Sequence, residues 1–294
     1  MRFLLTMVLL LLGPLQPAAA QPSSPLESEV RAIIAGSEAE VAVAFRTIDG
    51  RDGLLLDPDT VFHAASTMKV PVMIELFQQA EQRQLSLDER LPIRNEFKSI
   101  VDGSPYKLSE GDDSDKEIYS AVGKSLTLRQ LCEAMITVSS NFAANLLIER
   151  LGVDRIRSTV SRLGADGMQV LRGVEDQKAF DKGLNNSTTA RGLLILFQKL
   201  ATGHAVSVKA DAAMIEILKR QKFNEAIPAG VPAGTAVAHK TGNITKIHHD
   251  AAIVFAPRPY VLVILVRGIQ DQKVSAPLMS KISAAVYKRS QAPR

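Results

Sequence analysis

AVAHKTGNI (residues 236–244), HDAAIVFA (249–256) and YVLVILVR (260–267) follow one another near the end of the chain, the last two parted by Pro257-Arg258-Pro259. Runs of this length, rich in β-branched residues and punctuated by proline, read as strands. Lys273 to Arg289 then reads as a closing helix. The beginning of the chain has the same character: Leu26 to Ala35 reads as a helix, Val41 to Ile48 as a strand, Asp49-Gly50 as a turn and Gly53 to Asp57 as the second strand of a hairpin. Between these ends nearly every periodic segment is helical: Ser66 to Gln82, Thr127 to Val138, Asn141 to Leu151, Val153 to Leu163, Thr188 to Ala201 and Ala210 to Gln221. Strands at both ends of a helical middle predict an α/β (α+β) fold. One mostly antiparallel sheet, formed by N- and C-terminal segments and flanked by helices, carries an inserted all-helical lobe. The expected lobes are 21–65 with 225–294 for the discontinuous α/β part and 66–224 for the helical part, with the site in the cleft between them. Asn95 to Lys124 is the least regular stretch and reads as a long loop rimming that cleft, with Phe97, Tyr106 and Tyr119 as candidate gate residues.

The chain has 294 residues, 46% of them hydrophobic, enough for a sizeable core. Residues 1–20 read as a cleavable signal peptide: Arg2 is the positive end, Phe3 to Leu12 the apolar run, and Ala18-Ala19-Ala20 before Gln21 a small-residue cleavage site. The mature chain is therefore expected to be periplasmic or secreted, monomeric, and without stable membrane association. Only Cys132 is present, so no intramolecular disulfide can form. The formal charge is +4, but Lys and Arg are scattered among Asp and Glu rather than gathered in a stripe with aromatics, which argues against nucleic acid.

Three short motifs carry the chemistry, once each and in order: Ser66-Thr67-Met68-Lys69, Ser139-Ser140-Asn141 and Lys240-Thr241-Gly242. Ser66 and Lys69, three apart at a helix start, share a face, so the lysine can reach the hydroxyl that it must activate. The free N–H groups and dipole of that helix end suit a nucleophile whose attack creates an oxyanion. Lys69 has apolar neighbours Val70, Val72 and Met73, where an unpaired ammonium is expensive, and Pro71 in the same helix calls for a local irregularity. Ser139 and Asn141 fall at a turn between helices, where a hydroxyl set between two lysines could pass a proton to a leaving nitrogen. Lys240 and Thr241, on a strand bordering the cleft, could bind a carboxylate, and Gly242 would let a substrate approach the backbone. His248-His249-Asp250 offers too few ligands at suitable spacing for a metal, so neither metal nor cofactor is expected. His63 and His239, beside the motifs, are read as structural.

The motifs, their order and the lobe arrangement resemble the penicillin-recognising serine enzymes, and specifically class A β-lactamases, over essentially the whole mature chain. The resemblance implies attack by Ser66 on the carbonyl of a small-molecule β-lactam, an acyl-enzyme, and its hydrolysis by a water held by a loop glutamate. That loop reads Leu171 to Ala179, followed by Gly183 to Thr189. Glu175 is the candidate base, with Asp176 as its rival, and Arg172 a candidate brace for the loop. The resemblance also implies an oxyanion hole from the backbone N–H groups of Ser66 and Asn243. The chain departs from the family pattern at Ser140, where an Asp is usual, at Ala179, where an Asn helps hold the water, and in the spacing from Arg172 to Glu175. A D-alanyl-D-alanine carboxypeptidase or a penicillin-binding sensor with a long-lived ester would share the three motifs and need no loop glutamate.

Overall fold

The computed structural model describes residues 24–293; the signal peptide read at 1–20 lies outside them. The chain enters through α1 (Pro25–Ala35), capped by Ser24, and forms the hairpin β1 (Glu40–Thr47) and β2 (Gly53–Leu56). After β3 (Phe62–His63) a single 3-10 turn, Ala65–Met68, runs into α2 (Lys69–Glu81). The irregularity expected at Pro71 is absent there, and the change of helix type comes before it, between Met68 and Lys69. Pro71 is the third residue of α2, just after the junction at which Lys69 N still bonds back to Ser66 O and Thr67 O, and it supplies no donor of its own.

The stretch read as one long loop contains paired pieces. They are the hairpin partners β5 (Phe97–Lys98) and β6 (Pro105–Tyr106); just outside the two ends of the stretch, β4 (Arg90–Pro92) and β7 (Ser125–Thr127) pair with each other. The helical lobe continues with α3 (Leu128–Thr137), α4 (Asn141–Leu151) and α5 (Val153–Arg162). Next come the short α6 (Gln177–Asp181) and β8 (Ser187–Thr188), which pairs with β3. α7 (Ala190–Ala201) and α8 (Val208–Leu218) complete it. The chain then returns through β9 (Ala236–Ile244), β10 (Ile247–Phe255) and β11 (Tyr260–Arg267) to α9 (Gln272–Gln291).

The principal sheet has the order β2-β1-β11-β10-β9, with every pairing antiparallel, so its first and last strands in sequence meet at β1 and β11. Both faces are covered, which explains why YVLVILVR is apolar throughout rather than alternating. Val261, Val263 and Leu265 point into the core shared with α2 and α7, and Tyr260, Leu262, Ile264 and Val266 into the core beneath α1 and α9. Cys132 is buried on α3, its thiol pushed up to about 12 by burial, and is free. Among the described residues no helix is long and apolar enough to cross a membrane.

Candidate active site

The 3-10 turn that carries Ser66 is held in place from three sides. Ala64 N donates to Asn186 O at 2.8 Å, Ala65 N to His63 Nδ1 at 3.0 Å, and Thr67 Oγ1 to Ala64 O at 2.6 Å. Against it lies β9. A Cβ on Gly242 would stand 3.0 Å from Thr67 Cγ2 and 3.2 Å from both Ala64 O and Ser66 N. The glycine thus serves the approach of the strand to the Ser66 turn, a packing role beside the substrate approach expected of it.

Lys69 and Lys240 are fully buried, and both reach Ser139. Lys69 Nζ donates to Ser139 O at 2.6 Å, to Asn141 Oδ1 at 2.8 Å and to Ser139 Oγ at 3.3 Å. Lys240 Nζ donates to the same Oγ at 3.0 Å and to Thr241 O at 2.8 Å. The hydroxyl therefore stands between two lysines. The Lys69 hydrogen bonds run to Ser139 and Asn141 rather than to Ser66 Oγ, an arrangement that catalytic pairs commonly tighten only around substrate. Burial drives Lys69 down to about 7, opposed by the charges of Asp113 and Glu175. Burial, reinforced by the charge of Lys69, holds Lys240 well below the usual lysine range.

Ser66, Asn141 and Asn243 lie in the walls of two hollows of about 340 Å³ each. One is completed by Glu175, Val174, Phe180 and Ile244, the other by Ser139, Thr241, His248 and Glu225. Glu175 Oε1 accepts from Asn141 Nδ2 at 2.8 Å, and burial raises its pKa. Asp176, in the wall of the same hollow, has its carboxyl engaged: it caps α6 and accepts from Ser99 Oγ at 2.8 Å and Ile100 N at 2.9 Å. Three non-glycine residues of the site have left-handed backbone, Ala65 (φ 45), Ser139 (φ 60) and Glu175 (φ 61), the kind of strain that surrounding contacts must hold.

The loop carrying Glu175 is braced from below. Arg172, 5% exposed, donates to Leu184 O at 2.9 Å, Gly173 O at 2.9 Å and Asn185 Oδ1 at 3.0 Å. Two asparagines that sequence reasoning passed over do as much. Asn145, one turn after Asn141 on α4, accepts from Val174 N at 2.7 Å and donates to Val174 O at 3.0 Å. Asn186 brackets Leu171 and Arg172 by their backbones. A Cβ on Gly173 would fall 2.6 Å from Asn145 Oδ1, so that contact requires a glycine. The signal available for Asn145 was its amide in the otherwise apolar run Phe142 to Ile148.

Of the aromatics read as gates, Phe97 and Tyr106 pack against the residues that support the loop, and Tyr119 packs on α4. Phe97 is buried against Tyr106 and Phe142, Tyr106 hydrogen-bonds Val174 O and Asn145, and Tyr119 packs on Phe142 with its ring centroid 4.9 Å away. The histidines have separate tasks: His239 faces Asp250 at 3.0 Å, His248 meets Ser275 Oγ at 2.8 Å, and His249 reaches His63 O at 3.0 Å.

A family model described as the beta-lactamase enzyme family matches residues 25–290. The chain belongs to that family. It is 23% identical over 276 residues to the extended-spectrum beta-lactamase PER-1 of Pseudomonas aeruginosa, covering 89% of this chain and 86% of the relative. A class A beta-lactamase from Mycobacterium abscessus shares the fold with a TM-score of 0.78 at 22% identity, over 91% of this chain and all of the other. A PBP-A variant, solved as an acyl-enzyme complex with penicillin G, matches with a TM-score of 0.75 at 25% identity, over 90% of this chain and 95% of that one. The resemblance read from the three motifs thus holds, and the antiparallel sheet with its helical lobe is the fold shared with these solved structures.

Proposed function

We propose that the protein opens the ring of β-lactam antibiotics through an acyl-enzyme on Ser66, and that water activated by Glu175 then hydrolyses the ester. The observation that carries this reading is Ser139 Oγ, 3.3 Å from Lys69 Nζ and 3.0 Å from Lys240 Nζ, beside hollows walled by Ser66 and Glu175. In this reading Ser66 Oγ attacks the lactam carbonyl and its proton leaves to the neutral amine of Lys69, or through a water to Glu175. The C–N bond breaks and the ring nitrogen takes a proton from Ser139, which is resupplied by a neighbouring lysine. The backbone N–H groups of Ser66 and Asn243 carry the oxyanion, Lys240 and the Thr241 hydroxyl hold the substrate carboxylate, and Asn141 binds the substrate beside them. Glu175 then takes a proton from the attacking water as its oxygen bonds to the ester carbon, the bond from that carbon to Ser66 Oγ breaks, and the proton passes on to Oγ, which restores the Ser66 hydroxyl and the Glu175 carboxylate.

A second reading, a carboxypeptidase or penicillin-binding protein with slow ester hydrolysis, draws support from Ala179. It is buried in α6, its N–H bonded to Asp176, and its methyl offers a water no hydrogen bond. Residues 1–20 are proposed as the export signal, with maturation at Gln21 to a monomer in which lobes 21–65 with 225–294 and 66–224 flank the cleft.

The deciding experiment is mass spectrometry of the protein mixed with a penicillin, sampled over time, beside a chromogenic cephalosporin assay. A transient adduct on Ser66 with turnover supports the first reading, a persistent adduct the second, and the absence of any adduct on Ser66 overturns both.

A further inference from the structure

Ser140 stands where the family pattern has an aspartate, and its hydroxyl caps only one donor of α4, accepting from Ala143 N at 3.2 Å. The two N–H groups before it are taken by a carboxyl from elsewhere in the chain. Asp113, 4% exposed, accepts from Asn141 N at 3.0 Å through Oδ1 and from Phe142 N at 2.8 Å through Oδ2. Its Oδ1 also accepts from Asp115 N at 3.0 Å and its Oδ2 from Tyr119 OH at 3.2 Å. The next residue grips the other side of the turn: Ser114 Oγ donates to Val138 O at 2.7 Å and to Ser139 O at 3.1 Å, the latter also the acceptor of Lys69 at 2.6 Å. Ser139, with its left-handed backbone, is therefore flanked on both sides by residues that Asp113 and Ser114 hold.

We propose that Asp113 does the work of the absent motif aspartate, as a positioning residue that orients Ser139 and Asn141 toward Lys69 and places a negative charge behind that lysine. The proposal rests on the reading of Ser66 and Lys69 as the acylating pair. Buried N–H groups at a helix start need acceptors, and a carboxylate there is favoured by the dipole, so Asp113 fixes the first turn of α4 more firmly than a hydroxyl alone. The fixed turn aims Asn141, whose amide links Lys69 to Glu175. The charges that favour the Lys69 ammonium come from two directions, Asp113 from the segment before the 3-10 turn Glu117–Ala121 and Glu175 from the loop before α6, while Lys240 on β9 is the neighbouring cation that the charge of Lys69 pushes down. Removing Asp113 deletes one of the two charges that favour the ammonium.

The test is the pre-steady-state acylation of Ser66 by a penicillin across pH in wild type, Asp113→Asn and Asp113→Asn/Ser140→Asp, with thermal midpoints alongside. In Asp113→Asn the acylation rate at neutral pH should fall about tenfold to a hundredfold, the range produced by small misplacements in a catalytic site. The acidic limb should move to lower pH, because Lys69 loses a neighbour that stabilised its charge. Restoring a carboxyl at position 140 should recover both rate and limb. A purely structural role for Asp113 would lower the thermal midpoint and leave the limb in place, and that result overturns the proposal. If the single variant does not fold, the double variant decides: a folded, acylating double supports the proposal, and an unfolded or inactive one overturns it. A wild type that forms no adduct fells the functional reading, and this proposal with it.

Discussion

Asn141 holds Glu175 by its amide nitrogen, Nδ2 to Oε1 at 2.8 Å, while the same side chain's oxygen accepts from Lys69 at 2.8 Å. One planar group thereby sets the spacing between the residue proposed to serve acylation and the one proposed to serve hydrolysis. Because the contact to Glu175 is a donor contact, it favours the carboxylate and opposes the rise that burial imposes.

Glu175→Gln keeps the shape of the side chain and removes the base. Formation of the Ser66 ester should survive, and its hydrolysis should slow by about a hundredfold to ten-thousandfold, the usual worth of a positioned acid or base. Trapping with penicillin and intact-mass readout checks this; an ester that turns over as fast as in wild type would remove Glu175 from the mechanism.

The pH dependence separates the two candidate bases. Lys69, driven to about 7 by burial, is neutral above that value and charged below it. Glu175→Gln removes one of the charges that favour the ammonium, so acylation measured in it should rise with pH roughly tenfold per unit up to a midpoint below the wild-type one, and level off above it if the amine is the base. Hydrolysis in wild type should fail at low pH, as protons fill Glu175 through its raised pKa. Toward alkaline pH, Lys240 sheds its charge earlier than an ordinary lysine and KM should climb. Acylation of Glu175→Gln that shows no acidic limb at any pH where the protein stays folded would remove Lys69 as the base.

Arg172→Ala removes the hydrogen bonds to Leu184 O, Gly173 O and Asn185 Oδ1 and leaves those acceptors short of donors. Since the backbones of 171–174 are also held by Asn186 and Asn145, the loop should loosen without unfolding the lobe. The expected outcome is faster hydrogen exchange over 171–185 and an ester lifetime longer by about tenfold to a hundredfold, with acylation little changed. Equal loss of acylation and hydrolysis would show that the brace serves the whole site.

What was legible in the sequence divides by the range of the interaction. β9 and β11 match their expected bounds, and β10 nearly so; in β11 burial on both faces leaves an unbroken apolar run, YVLVILVR, between Pro259 and Gly268, whereas β9 and β10 carry the site's polar residues within the strand. The pairs β3–β8, β4–β7 and β5–β6 are two or three residues long and join segments far apart or irregular, so no local period announces them. The same holds at the site. Ser66 and Lys69 share a local spacing that can be read directly, and the hydroxyl between two lysines followed from motif logic. Asp113 sits among several acidic residues of equal appearance in 110–115, and only the tertiary approach to α4 distinguishes it. Phe97 and Tyr106 were misjudged as gates for the same reason, since an aromatic in an irregular segment gives no sign of which side it packs on.

Gly242→Ala probes the approach of β9 to the nucleophile. The added methyl would press on Thr67 Cγ2 at 3.0 Å and on Ala64 O and Ser66 N at 3.2 Å, two of them backbone atoms that cannot rotate aside. Relief requires β9 to move off the Ser66 turn by a few tenths of an ångström, at a cost of about 1–3 kcal/mol typical of overpacking. The thermal midpoint should fall by a few degrees. Acylation should fall further, by about tenfold or more, because the same shift separates the N–H groups of Ser66 and Asn243 that are proposed to share the oxyanion. Parallel melting curves and acylation rates for wild type and variant check this. A variant that is destabilised yet acylates at the wild-type rate would show that the strand can move without disturbing the oxyanion donors, and would remove Asn243 N–H from that role.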